Sequence, residues 1–223
     1  MMTNLWWIFH KDLVTEFRAR RVWPAMLLLG IVVALVFGIQ MELLPQQKQQ
    51  LVGGLLWLAT FFAGMTAIDR SFAAEREEEC WDGLKLYPLQ PAVIYSAKLA
   101  VNSVALAVTQ CILIPLFFVL SDVPLWSHPW HLLLVAVLGN LGIAAVGTLV
   151  SALATGIGKS GNLVVLLVLP MVVPVVLAAA EATRLLAENQ IDEIWWRWVQ
   201  LLVAFAVIFI TAGTLLFEFA IED

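Results

Sequence analysis

The chain has 223 residues, of which 62% are hydrophobic and only 13% are charged, and its mean hydropathy is +0.92. An average soluble domain is about 45–50% apolar and about 25% charged. This composition therefore excludes a soluble globular enzyme, a disordered tail and a nucleic-acid reader. The net charge of −5 also argues against a nucleic acid as partner, and two cysteines are too few for a disulfide framework or a metal cluster.

Apolar stretches long enough to cross a bilayer core of about 30 Å as helices recur along the chain. There are six predicted spans, at residues 23–44, 51–68, 99–120, 132–154, 163–182 and 199–220. None carries a charge near its middle, and the runs are too long and too uniformly apolar for the strands of a membrane barrel. We therefore predict an all-α integral membrane protein whose single transmembrane domain takes in residues 1–223. Polar side chains within the spans are predicted to form interhelical hydrogen bonds, among them Asn102, Gln110, Asn140 and Thr148.

The positions of lysine and arginine predict the orientation, because cytoplasmic loops carry an excess of both. With the N-terminus inside, nine of the 12 basic residues lie on the inner side and three on the outer side. Both termini are therefore predicted to be cytoplasmic, with outer loops near 45–50, 121–131 and 183–198. The last of these, 183–198, is amphipathic and rich in tryptophan, a residue that favours the headgroup level.

Two segments on the inner side are amphipathic. Residues 1–22 repeat apolar side chains at helical spacing, which predicts a helix along the membrane surface, as a generic anchor or as a partner contact. Residues 70–88 carry an acidic run at 75–79, which suits the early turns of a helix, and end at Pro88. Aromatic and aliphatic groups rimmed by charge favour a docking surface over a solvated connector. The predicted docking residues are Phe72, Arg76, Glu77, Glu79, Trp81, Asp82, Leu84 and Tyr87.

The third inside loop, residues 155–162, contains Gly158-Lys159-Ser160 and only partly matches a phosphate-binding loop. The first glycine of that pattern would stand at position 153, where the chain has leucine. The loop also leads into a membrane span instead of a helix packed on a parallel sheet. We therefore reject nucleotide binding and predict a tight turn in which Lys159 and Ser160 form a second inside contact.

Prolines inside two spans predict bends, at Pro115 in span three and at Pro170 and Pro174 in span five. Each proline removes a backbone hydrogen bond. Bent helices without a central charge suit a moving permease more than an ion channel, which needs a polar lining. Prolines are also frequent in spanning helices that have no such role.

In these features the chain resembles the CcmB family. Members of this family are the permease subunit of the ABC transporter for cytochrome c maturation, which is often called the haem exporter. The six-span layout is similar over the whole chain. More specific are the inside helix with Leu86-Tyr-Pro-Leu89, the stretch Ile94-Tyr-Ser-Ala-Lys98, and the turn 158–161 followed by Leu166-Leu-Val-Leu-Pro170. The chain departs from many members at 79–82, where Glu-Cys-Trp-Asp replaces a Gly-Ser/Thr-Leu-Glu run.

The resemblance implies an ABC-2 type permease in the bacterial inner membrane, with 1–22 as an interfacial helix and 70–88 as a coupling helix. It implies two copies of the chain with two copies of a cytosolic ATPase subunit, and ATP and Mg²⁺ bound by that partner. It also implies further membrane subunits that handle haem and pass it to a periplasmic haem chaperone. This chain would then bind no cofactor of its own, and motion of the ATPase would pass through 70–88 into spans two and three.

His128 and His131 lie in the outer segment Trp126-Ser-His-Pro-Trp-His131. Because histidine is a usual axial ligand of haem, both are candidate haem contacts. The alternative is a polar, aromatic belt at the membrane surface. The sequence shows no catalytic carboxylate pair, triad or metal-ligand spacing, so we expect no enzymatic activity in this chain.

Other functions are compatible with the same pattern of apolar spans and an amphipathic inside helix. An ABC-2 permease that exports a lipid, glycan or drug would have the same fold and coupling helix. A second alternative is a non-transporting mechanical subunit, which uses the energy of the partner's ATP to release haem-loaded chaperone from a neighbouring membrane protein. The lack of a polar intramembrane pathway in the sequence favours the mechanical subunit over bulk passage of haem, and the lack of ionisable residues at mid-span disfavours a membrane-embedded enzyme.

Overall fold

The computed structural model describes residues 10, 28, 30–36, 45–71, 91–156 and 162–222. This part of the chain is helical apart from short connections, which confirms the all-α class. It contains a helical segment at 30–36. The five long α-helices are α1 (Pro45–Ser71), α2 (Pro91–Ser121), α3 (Pro129–Gly156), α4 (Asn162–Ala187) and α5 (Glu193–Glu222), and a 3-10 helix, Leu125–Ser127, connects α2 to α3.

Four segments of these helices are long and apolar enough to cross a membrane. They are Pro91–Ser121, Pro129–Leu153, Val168–Ala187 and Glu193–Phe217. These segments correspond to predicted spans three to six, so the chain is a multi-pass membrane protein. Predicted span two lies within α1, and of predicted span one the structure describes only 28 and 30–36. The count of six spans stays a prediction.

Capping residues explain why the helices begin where they do. Proline is the first residue of α1, α2 and α3, a position where its missing N–H is no loss. Helix α5 follows Asp192 instead, whose carboxylate accepts hydrogen bonds from the backbone N–H groups of Ile194 and Trp195 at 3.0 and 3.1 Å. Because of these caps, helices α2 and α5 extend beyond the apolar stretches that first indicated them.

Helix α4 ends in a tight left-handed cap. Asn189 has a φ of 56°, which asparagine tolerates better than most residues. Its backbone N–H donates to the carbonyl of Leu186 at 3.1 Å, and that of Gln190 donates to the carbonyl of Leu185 at 2.8 Å. This pair of bonds satisfies the last carbonyls of the helix and turns the chain sharply towards α5.

The predicted outer amphipathic loop, 183–198, is not a separate element. Its first residues continue α4 to Ala187, its last residues begin α5, and only 188–192 connect the two helices. Arg184 stabilises the end of α4 through ion pairs with Glu181 at 2.8 Å and Glu188 at 2.9 Å. Helices α4 and α5 thus continue beyond their apolar stretches, because polar side chains and caps stabilise the end of α4 and the start of α5.

Helix α3 is at the centre of the described bundle. It packs on α1, α2, α4 and α5, and of the four membrane-length segments its own is the most buried. Small residues allow this close packing. Gly139 lies against the ring of Trp57 from α1, and Gly142 lies against Val175 from α4, so that a Cβ at either glycine would collide with these side chains.

Apolar side chains also cover the outside of the bundle. Large examples stand exposed on every helix, including Leu58 on α1, Val119 on α2, Leu133 on α3, Leu177 on α4 and Val207 on α5. Monomeric soluble proteins rarely expose apolar surface on all sides. Such a surface is suited to lipid, which agrees with the membrane-length helices.

Candidate functional site

The residues predicted to contact a partner on the inner side all lie outside the described part of the chain. They are Phe72, Arg76, Glu77, Glu79, Trp81, Asp82, Leu84 and Tyr87, together with Lys159 and Ser160. Their roles stay predictions. The two helices that the segment 72–90 joins are described, and α1 and α2 pack against each other along the bundle.

The three prolines lie within continuous helices. Pro115 is inside α2, and Pro170 and Pro174 are inside α4. Because proline has no N–H, the carbonyl of Cys111 lacks its usual helical partner four residues later. The helices nevertheless continue on both sides of each proline, and a part for these residues in permease motion stays a prediction.

The two histidines lie at the end of the bundle that is predicted to face outward. The ring centroid of His131 is 5.7 Å from that of His128 and 5.0 Å from that of Trp195, edge-on in both cases. Trp195 is fully buried and donates its indole N–H to the carbonyl of Ala182 at 3.1 Å. Trp196 packs edge-on against Trp195 at 4.9 Å. This aromatic cluster holds the starts of α3 and α5 and the end of α4 together.

The aromatic cluster has the character of a membrane-surface belt. Its neighbours Trp126 and Trp130 are 50% and 79% exposed, as expected for side chains at the headgroup level. The contact of His131 with Trp195 shows that 121–131 and 188–198 lie at the same end of the bundle, as the predicted topology requires. Among the residues that the structure describes, no three histidine, cysteine or acidic side chains are grouped to hold a metal ion. A haem contact at His128 or His131 stays a prediction.

Buried polar side chains connect the helices across the bundle. The amide N–H of Asn102 on α2 donates to the hydroxyl of Thr148 on α3 at 2.9 Å. The amide of Asn140 on α3 donates to the carbonyl oxygen of Gln110 on α2 at 3.1 Å. These two bonds confirm the interhelical role predicted for all four side chains, each bond being worth about 0.6–2 kcal/mol in a membrane.

Two further polar contacts were not identified from the sequence. The indole N–H of Trp57 on α1 donates to the hydroxyl of Thr183 on α4 at 2.9 Å. The hydroxyl of Tyr95 on α2 lies 3.2 Å from two carbonyl oxygens, of Ala145 on α3 and Phe209 on α5. The available signal was the amphipathic nature of tryptophan and tyrosine, which need a partner for the N–H or O–H group when they are buried.

Residues 3–223 match the family model described as CcmB protein. The chain belongs to the CcmB family. The match takes in the four described membrane-length segments as well as 72–90 and 157–161, where the predicted inner contacts lie.

Several members of the CcmB family are similar to the chain, and each of them is named heme exporter protein B. The protein from Rhodobacter capsulatus is 32% identical over 74% of this chain and 74% of its own length. The protein from Pseudomonas aeruginosa is 28% identical over 70% of this chain and 69% of its own length. The protein from Escherichia coli K12 is 25% identical over 79% of this chain and 80% of its own length.

Proposed function

We propose that this chain is the transmembrane subunit of a haem export system, driven by a separate ATPase subunit. The observation that carries the proposal is the family match over residues 3–223, together with relatives that are named heme exporter protein B. A bundle with a continuous apolar core and an apolar exterior supports a membrane role. The shared name of the relatives favours haem over a lipid, glycan or drug as cargo.

The proposed mechanism is mechanical coupling through 70–88. The segment 72–90 joins the end of α1 at Ser71 to the start of α2 at Pro91, so a force on it acts on both helices. Helix α1 packs on α4, and α2 packs on α3 and α5. A shift of one coupling segment therefore reaches the whole described bundle through packed helices. Phe72, Trp81 and Leu84 are the proposed apolar anchors in the ATPase.

The proposed setting is a complex in the bacterial inner membrane. Two copies of the chain, each with six spans and cytoplasmic termini in an ABC-2 type architecture, pair with two ATPase subunits. Other membrane subunits pass the haem to a periplasmic chaperone. ATP and Mg²⁺ bind to the ATPase, and this chain contributes no catalytic site and keeps no cofactor.

A second candidate function is release of haem-loaded chaperone from a neighbouring membrane protein without passage of haem through this chain. The close packing of α3 argues against a path for haem between α3 and α1 or α4 within one copy, because Gly139 against Trp57 and Gly142 against Val175 leave no room for another atom at those crossings. Both functions use the same ATPase contact. They differ in which intermediate accumulates when the contact is broken.

Complementation tests the proposal. The chain is expressed with its genomic neighbours in a bacterium that lacks heme exporter protein B, and covalent haem on c-type cytochromes is measured by haem staining of gels. We expect the native chain to restore staining, Trp81→Ala to lower it at least tenfold, and the control Trp130→Ala, at a 79% exposed tryptophan, to retain it. Failure of the native chain to restore any staining, at normal membrane levels, would overturn the proposal.

The same strains separate the two candidate functions. In the Trp81→Ala strain, the haem chaperone is isolated from the membrane fraction and its haem content is measured. Chaperone that is loaded with haem but retained on a membrane protein indicates mechanical release. Chaperone that is free of haem indicates export through the complex.

A further inference from the structure

A lateral groove of about 260 Å³ lies between α2 and α3 and opens to the outside of the bundle. Leu133 and Val137, which are 52% and 48% exposed, form one rim, and Trp126 of the 3-10 helix is also part of the lining. On the α2 side, the small or short residues Ala107, Cys111 and Pro115, spaced four apart, line the groove together with Gln110 and Ile114. Such spacing allows another helix to approach closely in a membrane.

Two amide side chains give this apolar groove a polar site. Gln110 and Asn140 line it, are only 3% and 5% exposed, and share one hydrogen bond. The remaining atoms, Nε2 of Gln110 and Oδ1 of Asn140, have no hydrogen-bond partner. When two amide side chains share one hydrogen bond, one NH₂ group and one carbonyl oxygen are left unsatisfied, whichever way the two amides are turned. Unmet groups of this kind are costly where water is excluded.

The depth of the amide pair in the membrane restricts which groups can form hydrogen bonds with its two unsatisfied atoms. Gln110 is eleven residues from Ser121, the end of α2, which is about 16 Å along a helix. Half of a bilayer core is about 15 Å. The pair therefore lies near the middle of the membrane, where a phospholipid offers only hydrocarbon. A polar side chain on a spanning helix can reach this depth.

We propose that the groove is the docking site for a transmembrane helix of a different membrane protein, which carries an asparagine, glutamine, serine or threonine opposite Gln110 and Asn140. These side chains can accept from one amide and donate to the other at once. A carboxylate cannot donate, and a lysine or arginine cannot accept. Two copies of this chain that met groove to groove across a two-fold axis would hold their amides apart, because both surfaces are concave.

Site-specific photo-cross-linking tests the proposal in the cells that make the protein. Benzoylphenylalanine replaces Leu133 at the rim of the groove, and Val207 on α5, which is 58% exposed and outside the groove, is the matched control position. The adducts are mapped by mass spectrometry. We expect position 133, and not position 207, to cross-link to a spanning segment of another protein, within one helical turn of an amide or hydroxyl residue.

Two variants keep the test independent of folding. Ala107→Leu fills the groove at an exposed position and leaves the amides in place. The double change Gln110→Leu with Asn140→Leu removes the unsatisfied polar atoms together with the bond between the two amides, and replacing both partners of a buried hydrogen bond by apolar groups of similar size can be nearly neutral for stability. We expect each to lower the cross-link at least fivefold at unchanged membrane levels. Adducts only with lipid, with a second copy or with an aqueous loop would overturn the proposal, as would an adduct that neither variant weakens. The readout does not depend on haem export, so it can fail while the proposed function holds.

Discussion

The bond between Trp57 and Thr183 shows how single polar groups organise an apolar bundle. Both side chains are almost fully buried, and the indole N–H has the threonine hydroxyl as its acceptor at 2.9 Å. The same hydroxyl donates to the carbonyl of Ala179 within α4 at 2.7 Å. Each polar group is therefore satisfied by one specific neighbour, so α1 and α4 have one preferred rotation relative to each other.

A double-mutant cycle measures this contact. Thr183→Val leaves the indole N–H without an acceptor and should lower the free energy of unfolding by about 1–3 kcal/mol. Combining it with Trp57→Phe should reveal a coupling energy of about 0.6–1.7 kcal/mol, the range for such bonds in membranes. Unfolding in mixed micelles provides the measurement.

The control cycle combines Trp57→Phe with Thr214→Val. The Thr214 hydroxyl bonds within its own helix, to the carbonyl of Thr211, so these two changes should be additive. If the Trp57 and Thr183 changes are also additive, to within about 0.3 kcal/mol, the bond does not join the two helices.

At the scale of the helix, caps define the ends of the elements more than hydropathy does. The apolar stretch at 99–120 predicts a span, but α2 already begins at Pro91. Hydropathy reports only the part of a helix that suits lipid, whereas the helix continues until its terminal N–H and carbonyl groups are satisfied. Pro91 and Asp192 were visible signals for helix starts, and the left-handed residue Asn189 was a visible signal for a helix end.

The cap at Asn189 gives a prediction about the connection between α4 and α5. Asn189→Val should destabilise the protein by about 1–2 kcal/mol, because a β-branched residue is strained at a φ of 56°. Asn189→Gly should be neutral or slightly stabilising. Thermal unfolding in detergent, followed by tryptophan fluorescence, provides the measurement.

Gln190→Val is the matched control for the cap. Gln190 is the next residue and is also exposed, and it is not among the residues with a positive φ. The control should unfold like the native chain. A loss of stability at Gln190 as large as that at Asn189 would show that the left-handed conformation is not the cause.

At the scale of the whole molecule, the sequence predicts the fold class and the apolar helices. It does not predict how each helix is rotated about its own axis. An all-α, multi-pass protein follows from long apolar runs, and the glycines of α3 indicate close packing. Which face of each helix meets which neighbour does not follow, because a helix that is apolar all round has no distinct inward stripe. Trp57 and Thr183, which are 126 residues apart in the chain, therefore become recognisable as partners only in the structure.

The candidate site was also predicted from the sequence only in part. The outer aromatic cluster could be located from its tryptophans and histidines, but the burial of Trp195 beneath His131 depends on how α3, α4 and α5 meet. The inner docking residues follow from their amphipathic pattern and their place between two spans. The docking role predicted for them depends on a partner surface that this chain does not contain, so it stays a prediction.

Affinity purification from detergent-solubilised membranes tests the central claim, that this chain is driven by an ATPase bound at 70–88. The native chain, Trp81→Ala and the control Trp130→Ala are purified at equal amounts, and co-purifying proteins are quantified by mass spectrometry. We expect an ABC ATPase subunit with the native chain and with Trp130→Ala, and at least tenfold less of it with Trp81→Ala, because the loss of a buried aromatic anchor weakens an interface most. Equal recovery of the ATPase with all three chains, or its absence from the native sample, would contradict the account.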